Sequence, residues 1–158
     1  MSGMSVNVEV VGLNELIRDI KQAGGDAEPV VKAALLNSTE HVKQQVRQRA
    51  PHAFGTLQRS VLPEVRYPVG EVSVQESYGI DVEEGTGPHT VPHDAIERWT
   101  KKKGIPGSAI WPIIKTIERR GTKAQPFFKP GWDASQGFIN DQFDKVMDKL
   151  MAALMGRR

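Results

Sequence analysis

The sequence predicts an α+β domain: an antiparallel sheet of three to four strands packed by a long helix and a C-terminal helix, with a helical insertion. Apolar residues recur at spacings of three and four over residues 31–46, which indicates a long amphipathic helix. Short runs in which valine alternates with polar residues, separated by glycine and proline, indicate strands joined by tight turns. Three such strands in succession imply an antiparallel meander whose apolar face the long helix covers.

The first predicted elements are a strand over residues 6–11 and a short helix over residues 13–20, which a pair of glycines stops. The long helix then extends over residues 26–49, with an aspartate as its N-cap, and Pro51 ends it. The strands of the meander follow. They are predicted at residues 61–67, 72–75 and 78–83.

An inserted helical arm is predicted over residues 91–123, with helices at 94–103 and 108–120, each ended by a glycine. Residues 125–130 are predicted to be extended because they contain two prolines. The last helix is predicted at 134–155, with an apolar stripe that packs in the core.

Size and composition fit one globular domain over residues 1–158, since domains typically have about 100–200 residues. Hydrophobic residues make up 39% and charged residues 25%, which is ordinary for a folded chain. The absence of cysteine excludes disulfides, thiolate zinc sites and a cysteine nucleophile. Neither a secretory signal nor a membrane-spanning segment is expected.

Charge is distributed unevenly along a chain whose net charge is +2. Residues 64–97 contain eight acidic residues and one basic residue, a balance of −7, and residues 98–129 contain nine basic residues and one acidic residue, a balance of +8. Adjoining segments of opposite sign can provide complementary faces for association. The basic segment could also contact an anionic partner.

Two histidines are candidate metal ligands, and two glutamates are candidates for an acid–base pair. His89 and His93 have a spacing that can bind a metal on a helix, but flanking prolines prevent a helix across the pair, so no metal site is expected. Glu83 and Glu84 would point to opposite faces of a strand and could not share a substrate. The chain contains none of the common hydrolase, metalloprotease or phosphate-loop motifs. An enzyme is therefore not expected.

Four short motifs occur in an order found in one protein family. An alanine–proline pair ends the long helix, a glycine-containing turn follows, a tyrosine leads into a Val-Glu-x-Gly-Thr run, and a Pro-Phe-Phe segment precedes the last helix. Over nearly its whole length the chain resembles the small neck or tail-completion proteins of long-tailed bacteriophages. The motif residues are Pro51, Gly55, Leu57, Tyr78, Glu83, Gly85, Thr86, Pro126, Phe127 and Phe128. The chain departs from the family pattern at Phe54, where a polar residue is usual, and at Gly131, where alanine is expected.

The resemblance implies a structural protein of the virion, with motif residues that form a scaffold and with no cofactor. It implies a closed homo-oligomeric ring, a hexamer or dodecamer, in the neck between head and tail, assembled in the cytoplasm of the bacterial host. The implied partners are the connector or head-completion proteins and the tail-tube or tail-terminator proteins, with a passing contact to phage DNA and none to a membrane.

The inserted arm is the expected contact with another chain. Its dense basic run is either a solvated helix end or a partner contact, and one tryptophan does not make the stacking pattern of a single-strand binder. The candidate contact residues are Trp99, Lys101, Lys102, Lys103, Arg119, Arg120 and Lys123. The alternative function is a nucleic-acid-binding protein that uses the basic segment 98–129.

Overall fold

A computed structural model describes residues 4–8, 10–52 and 55–156 of the chain. Within these ranges it contains three strands and seven α-helices, with a short 3-10 turn before the sixth helix. The strands are β1 (Met4–Val8), β2 (Val61–Arg66) and β3 (Val69–Val74). The helices are α1 (Leu13–Gln22), α2 (Glu28–Arg49), α3 (Thr56–Arg59), α4 (Gly79–Glu84), α5 (His93–Lys103), α6 (Ile110–Arg120) and α7 (Phe128–Met155).

The sheet confirms the predicted α+β class but not the predicted meander. Its strand order is β1-β3-β2, and both pairings are antiparallel. Val72 in the central strand lies between Val6 of β1 and Pro63 of β2. The first strand of the chain therefore fills the position beside β3.

The strand predicted at residues 78–83 is wrong, because this segment forms α4. With β1 and β2 on its two sides, β3 has no free edge left for a further strand. The carbonyl oxygen of Tyr78 accepts a hydrogen bond from the backbone N–H of Val82. Residues four apart in an alternating pattern also lie one helical turn apart, so the pattern fits a helix as well as a strand. A Cβ on Gly79 would lie 2.9 Å from Val74, which shows how closely this turn packs against the sheet.

Helix α7 begins at Phe128, six residues before the predicted start, so the segment predicted to be extended at 125–130 is only partly so. Pro130 lies in its first turn, where the missing N–H of proline is not needed by the helix. Helix α2 begins two residues after the predicted N-cap, but Asp26 still accepts a hydrogen bond at 3.0 Å from the N–H of Glu28.

The core lies between the sheet and the antiparallel pair of α2 and α7. A Cβ on Gly70 of β3 would approach Thr39 to 2.7 Å, so α2 lies very close to the sheet. The pairing with α7 runs from Val46 against Gly131 to a hydrogen bond between Asn37 and Gln142. The fully buried apolar side chains of this core are Val31, Leu35, Val42, Val46, Val61, Val72 and Phe127.

The predicted arm segment contains α5 and α6, which pack on each other. Ile110, Ile114 and the hydroxyl-bearing Thr100 are buried there, but the two isoleucines lie outside the main hydrophobic cluster. The helical pair therefore has a small apolar contact of its own.

Candidate interaction surfaces

Glu83 caps the N-terminus of α7. Its carboxylate accepts hydrogen bonds from the backbone N–H groups of Phe127 at 2.7 Å, Phe128 at 2.8 Å and Lys129 at 3.0 Å. The first N–H groups of a helix have no partner within it, and a negative charge there is favoured by the helix dipole. Glu83 is therefore occupied in holding the last helix, and the acidic residue and the Pro-Phe-Phe segment of the resemblance meet at one structural point.

Gly85 and Thr86 close the base of the arm. Thr86 and Thr122 exchange backbone hydrogen bonds at 3.0 and 3.1 Å, and their hydroxyl groups are 2.8 Å apart. A Cβ on Gly85, which has φ +76°, would lie 2.6 Å from the carbonyl oxygen of Thr122. A Cβ on Gly121 would overlap the carbonyl oxygen of Thr86. Because neither Gly85 nor Gly121 has a side chain, the two backbone segments at the base of the arm can lie in direct contact.

The corner after α2 is held by side chains from both of its sides. Gly55 precedes α3 with φ +70°, and Leu57 is buried beneath it. Gln58 donates to the carbonyl oxygens of Arg47 at 3.1 Å and Ala50 at 3.3 Å. The glycine-containing turn predicted after α2 is therefore present at Gly55, while the departure at Phe54 lies outside the described residues.

Replacing Gly55 with valine should lower the free energy of unfolding by about 1 kcal/mol or more, because a β-branched residue is strained at this backbone angle. Urea denaturation of Gly55→Val checks this. Gly87→Val is the matched control, since a Cβ at Gly87 meets nothing within 4 Å and its φ is not positive. Equal midpoints for the two variants would show that the backbone angle at Gly55 is not needed.

A cleft of about 530 Å³ lies between this corner and the arm. Tyr78 lines it, with its hydroxyl group 2.7 Å from that of Thr56. The half-buried Trp99 of α5 faces the same cleft, and Lys103 reaches the carbonyl oxygen of His52 at 3.5 Å. The structure therefore brings candidate arm residues together with the motif residues Pro51 and Tyr78.

The candidate basic residues of the arm fall into two groups. Lys101 is paired with Glu97 at 2.7 Å, and this hydrogen bond lowers the pKa of the Glu97 carboxyl group. Lys103 is exposed and forms no ion pair in the described residues, but it donates a hydrogen bond to the carbonyl oxygen of His52. Four other candidates are exposed and form neither an ion pair nor a side-chain hydrogen bond within the part of the chain that the structure describes: Lys102, Arg119, Arg120 and Lys123. These four candidates are available to a partner.

The two histidines that were candidate ligands lie in different local structures. His89 lies in the loop, where its Nδ1 is 3.0 Å from the carbonyl oxygen of Gly87, and His93 is the first residue of α5. No group of three or more potential metal ligands occurs among the described residues. Glu84 is exposed beside Glu83, in a helix and not in the predicted strand.

The sequence interpretation missed Trp111. This side chain is 61% exposed on α6, outside the apolar contact that Ile110 and Ile114 make with α5. Lys115 and Arg119 follow it at intervals of four residues, which places all three on one face of the helix. The spacing of these three residues is visible in the sequence. Which face of α6 is exposed becomes clear only from the structure, where Ile110 and Ile114 are buried.

Comparisons with protein-family models, curated proteins and solved structures found no match to this chain. In the described ranges, none of the helices has both the length and the apolar character needed to span a bilayer.

Proposed function

We propose that this chain is a structural protein of a tailed bacteriophage, which forms a ring at the head–tail junction and joins the tail to the head. Its partners are other copies of itself, the connector or head-completion proteins, and the tail-tube or tail-terminator proteins. The observation that carries the proposal is the ordered set of motifs, together with the structural role that each motif plays in the fold.

The motif residues hold elements of the fold together. Glu83 holds α7, Gly85 and Thr86 hold the base of the arm, and Gly55 shapes the corner after α2. Such structural roles suit a protein that keeps a fixed shape within an assembled particle.

The arm supplies the second support for the proposal. Its helices pack on each other, and its unpaired cations face solvent at positions a neighbouring chain can reach. A cyclic ring needs a heterologous contact, in which one face of a subunit meets a different face of the next. Charge complementarity in such a contact sets orientation and register.

Nucleic-acid binding is the second candidate, because exposed cations cluster at the C-terminal end of α6 and beyond it. Each phosphate that such a surface neutralises steepens the salt dependence of duplex binding. A steep loss of duplex affinity between low and high salt, with no assembly of the protein, would favour this candidate.

Reversing three cations of the arm to glutamate, at Lys102, Arg120 and Lys123, should leave the melting temperature nearly unchanged but weaken joining of tails to heads. These side chains are exposed and unpaired, so their loss removes little from the fold, and added salt should reduce the difference. Native mass spectrometry of the protein, alone and with candidate connector and tail-tube proteins, measures the assembly. Electron microscopy counts tailless heads and unattached tails.

The matched control reverses three exposed lysines elsewhere, at Lys21, Lys145 and Lys149, which changes the net charge by the same amount. Equal joining by the two triple variants at low and high salt would remove the arm from the proposal.

A further inference from the structure

The exposed face of α6 combines an aromatic side chain with two cations. Trp111 is 61% exposed, and its nearest ring neighbour is His93, tilted at a centroid distance of 5.3 Å. Lys115 and Arg119 are exposed on the same face, one and two turns further on, and form no ion pair within the described residues. Exposed tryptophan flanked by polar residues is typical of the anchor of a protein interface.

A groove elsewhere on the molecule has the size to receive this anchor. It lies between the free edge of β1 and α7, with a volume of about 450 Å³. Pockets that take a large group are roughly 300–1,000 Å³ and mostly apolar. The apolar residues that line the groove are Val8, Val10, Val11, Ile139, Phe143 and Met147. Val11 at its mouth is 98% exposed, so apolar surface there is open to a partner.

One acidic residue of α7 lines this groove, and two more lie next to it on the helix. Asp144 lines the groove, and Asp141 and Asp148 lie three and four residues away on the same side of the helix. All three are exposed and unpaired among the described residues. Like charges one turn apart destabilise a helix unless a partner compensates them.

We propose that Trp111 of one copy docks in the β1–α7 groove of a second copy, with Lys115 and Arg119 against Asp144 and Asp148. The two cations and the two carboxylates are opposite in sign. Within each pair the residues are four positions apart, which is about one helical turn. The two patches lie on different elements, so the contact is head-to-tail. The proposal rests on the proposed function in that a ring requires such a contact.

The acidic residue of the groove argues against a nucleic acid as its occupant, since phosphates would face the carboxylate of Asp144, with Asp148 one helical turn further on. A single strand could still stack on Trp111 alone. Single-stranded DNA binding is therefore measured alongside self-association.

The test uses the full chain and its self-association, measured by sedimentation and native mass spectrometry. Trp111→Ala should weaken self-association at least tenfold, with an unchanged melting temperature because the side chain is exposed. Trp111→Phe is the matched control and should retain most of it.

A charge exchange identifies the partner surface. The first variant carries Lys115→Asp and Arg119→Asp, and the second carries Asp144→Lys and Asp148→Lys. Each variant alone presents like charges at the contact and should remain monomeric. An equimolar mixture should assemble again, with the two chains in equal amounts, because each arm then meets a groove of opposite sign.

Four other outcomes are decisive. A wild-type chain that stays monomeric at several hundred micromolar overturns the contact. Assembly that survives Trp111→Ala and both charge variants also overturns it, but leaves the ring proposal intact. Open-ended assembly that Trp111→Ala abolishes supports the contact and counts against a closed ring. Loss of single-stranded DNA binding in Trp111→Ala, with self-association unchanged, assigns the tryptophan to nucleic acid and overturns the contact.

Discussion

Replacing Glu83 with alanine should lower the free energy of unfolding by about 3 kcal/mol, because each hydrogen bond to a charged group contributes roughly 1.5–3 kcal/mol and buried donors are costly to leave unpaired. The carboxylate accepts three backbone N–H groups at the start of α7, at 2.7 to 3.0 Å. Phe127 is completely buried, so removal of the carboxylate takes away the partner that its N–H has in the fold. The loss should appear in urea denaturation followed by circular dichroism.

Glu84→Ala is the matched control for this prediction. Glu84 is the next residue of the same helix, is exposed, and forms no side-chain hydrogen bond or ion pair among the described residues, so its replacement should change stability by less than about 0.5 kcal/mol. Glu83→Gln keeps an acceptor oxygen but loses the charge, and its stability should lie between the two. Equal denaturation midpoints for Glu83→Ala and Glu84→Ala would mean that the cap does not hold α7.

The parts of the fold that the sequence predicted correctly depend on local chemistry. The stripe from Val31 to Val46 predicted α2 because helical spacing of apolar residues is a property of the segment itself. The turn at Gly55 was expected from the glycine that follows the end of the long helix, and a positive φ at such a turn is readily adopted by glycine. These features need no knowledge of what lies across the fold.

The errors occur where distant segments decide. The run around Val82 is helical because β1, from the start of the chain, occupies the edge of β3. Helix α7 starts early because the carboxylate that caps it comes from Glu83, 44 residues before Phe127, whose N–H is the first of its donors. The prolines of residues 125–130 predict extended chain, but this local pattern carries no information about a capping carboxylate from a distant residue.

The candidate surface was predictable in part. The two helices of segment 91–123 were predicted from apolar spacing and glycine stops, and the pairing of Lys101 with Glu97 follows from their spacing of four residues. The groove was not predictable, since it joins β1 to α7, which lie at opposite ends of the sequence. Asp144 gains its position beside an apolar groove only when these elements come together.

Replacing Gly131 with alanine should destabilise the protein by about 1–3 kcal/mol, the usual effect of forcing an extra group into a packed contact. Intrinsic helix propensity predicts the opposite sign, because alanine is favoured over glycine within a helix by about 0.5–1 kcal/mol. A Cβ at Gly131 would lie 2.7 Å from Cγ2 of Val46, 2.8 Å from its Cα and 2.9 Å from its backbone nitrogen. A side chain could rotate away from the new methyl group, but the backbone of α2 cannot, so the two helices would have to separate.

Gly137→Ala, in the same helix, is the matched control, and it should stabilise the protein by about 0.5–1 kcal/mol because it gains helix propensity in open space. A Cβ at Gly137 meets nothing within 4 Å, and the residue is exposed. Urea denaturation of the two single variants should therefore move the midpoint in opposite directions. If both variants are stabilised by the same amount, the close approach of Gly131 to Val46 is wrong.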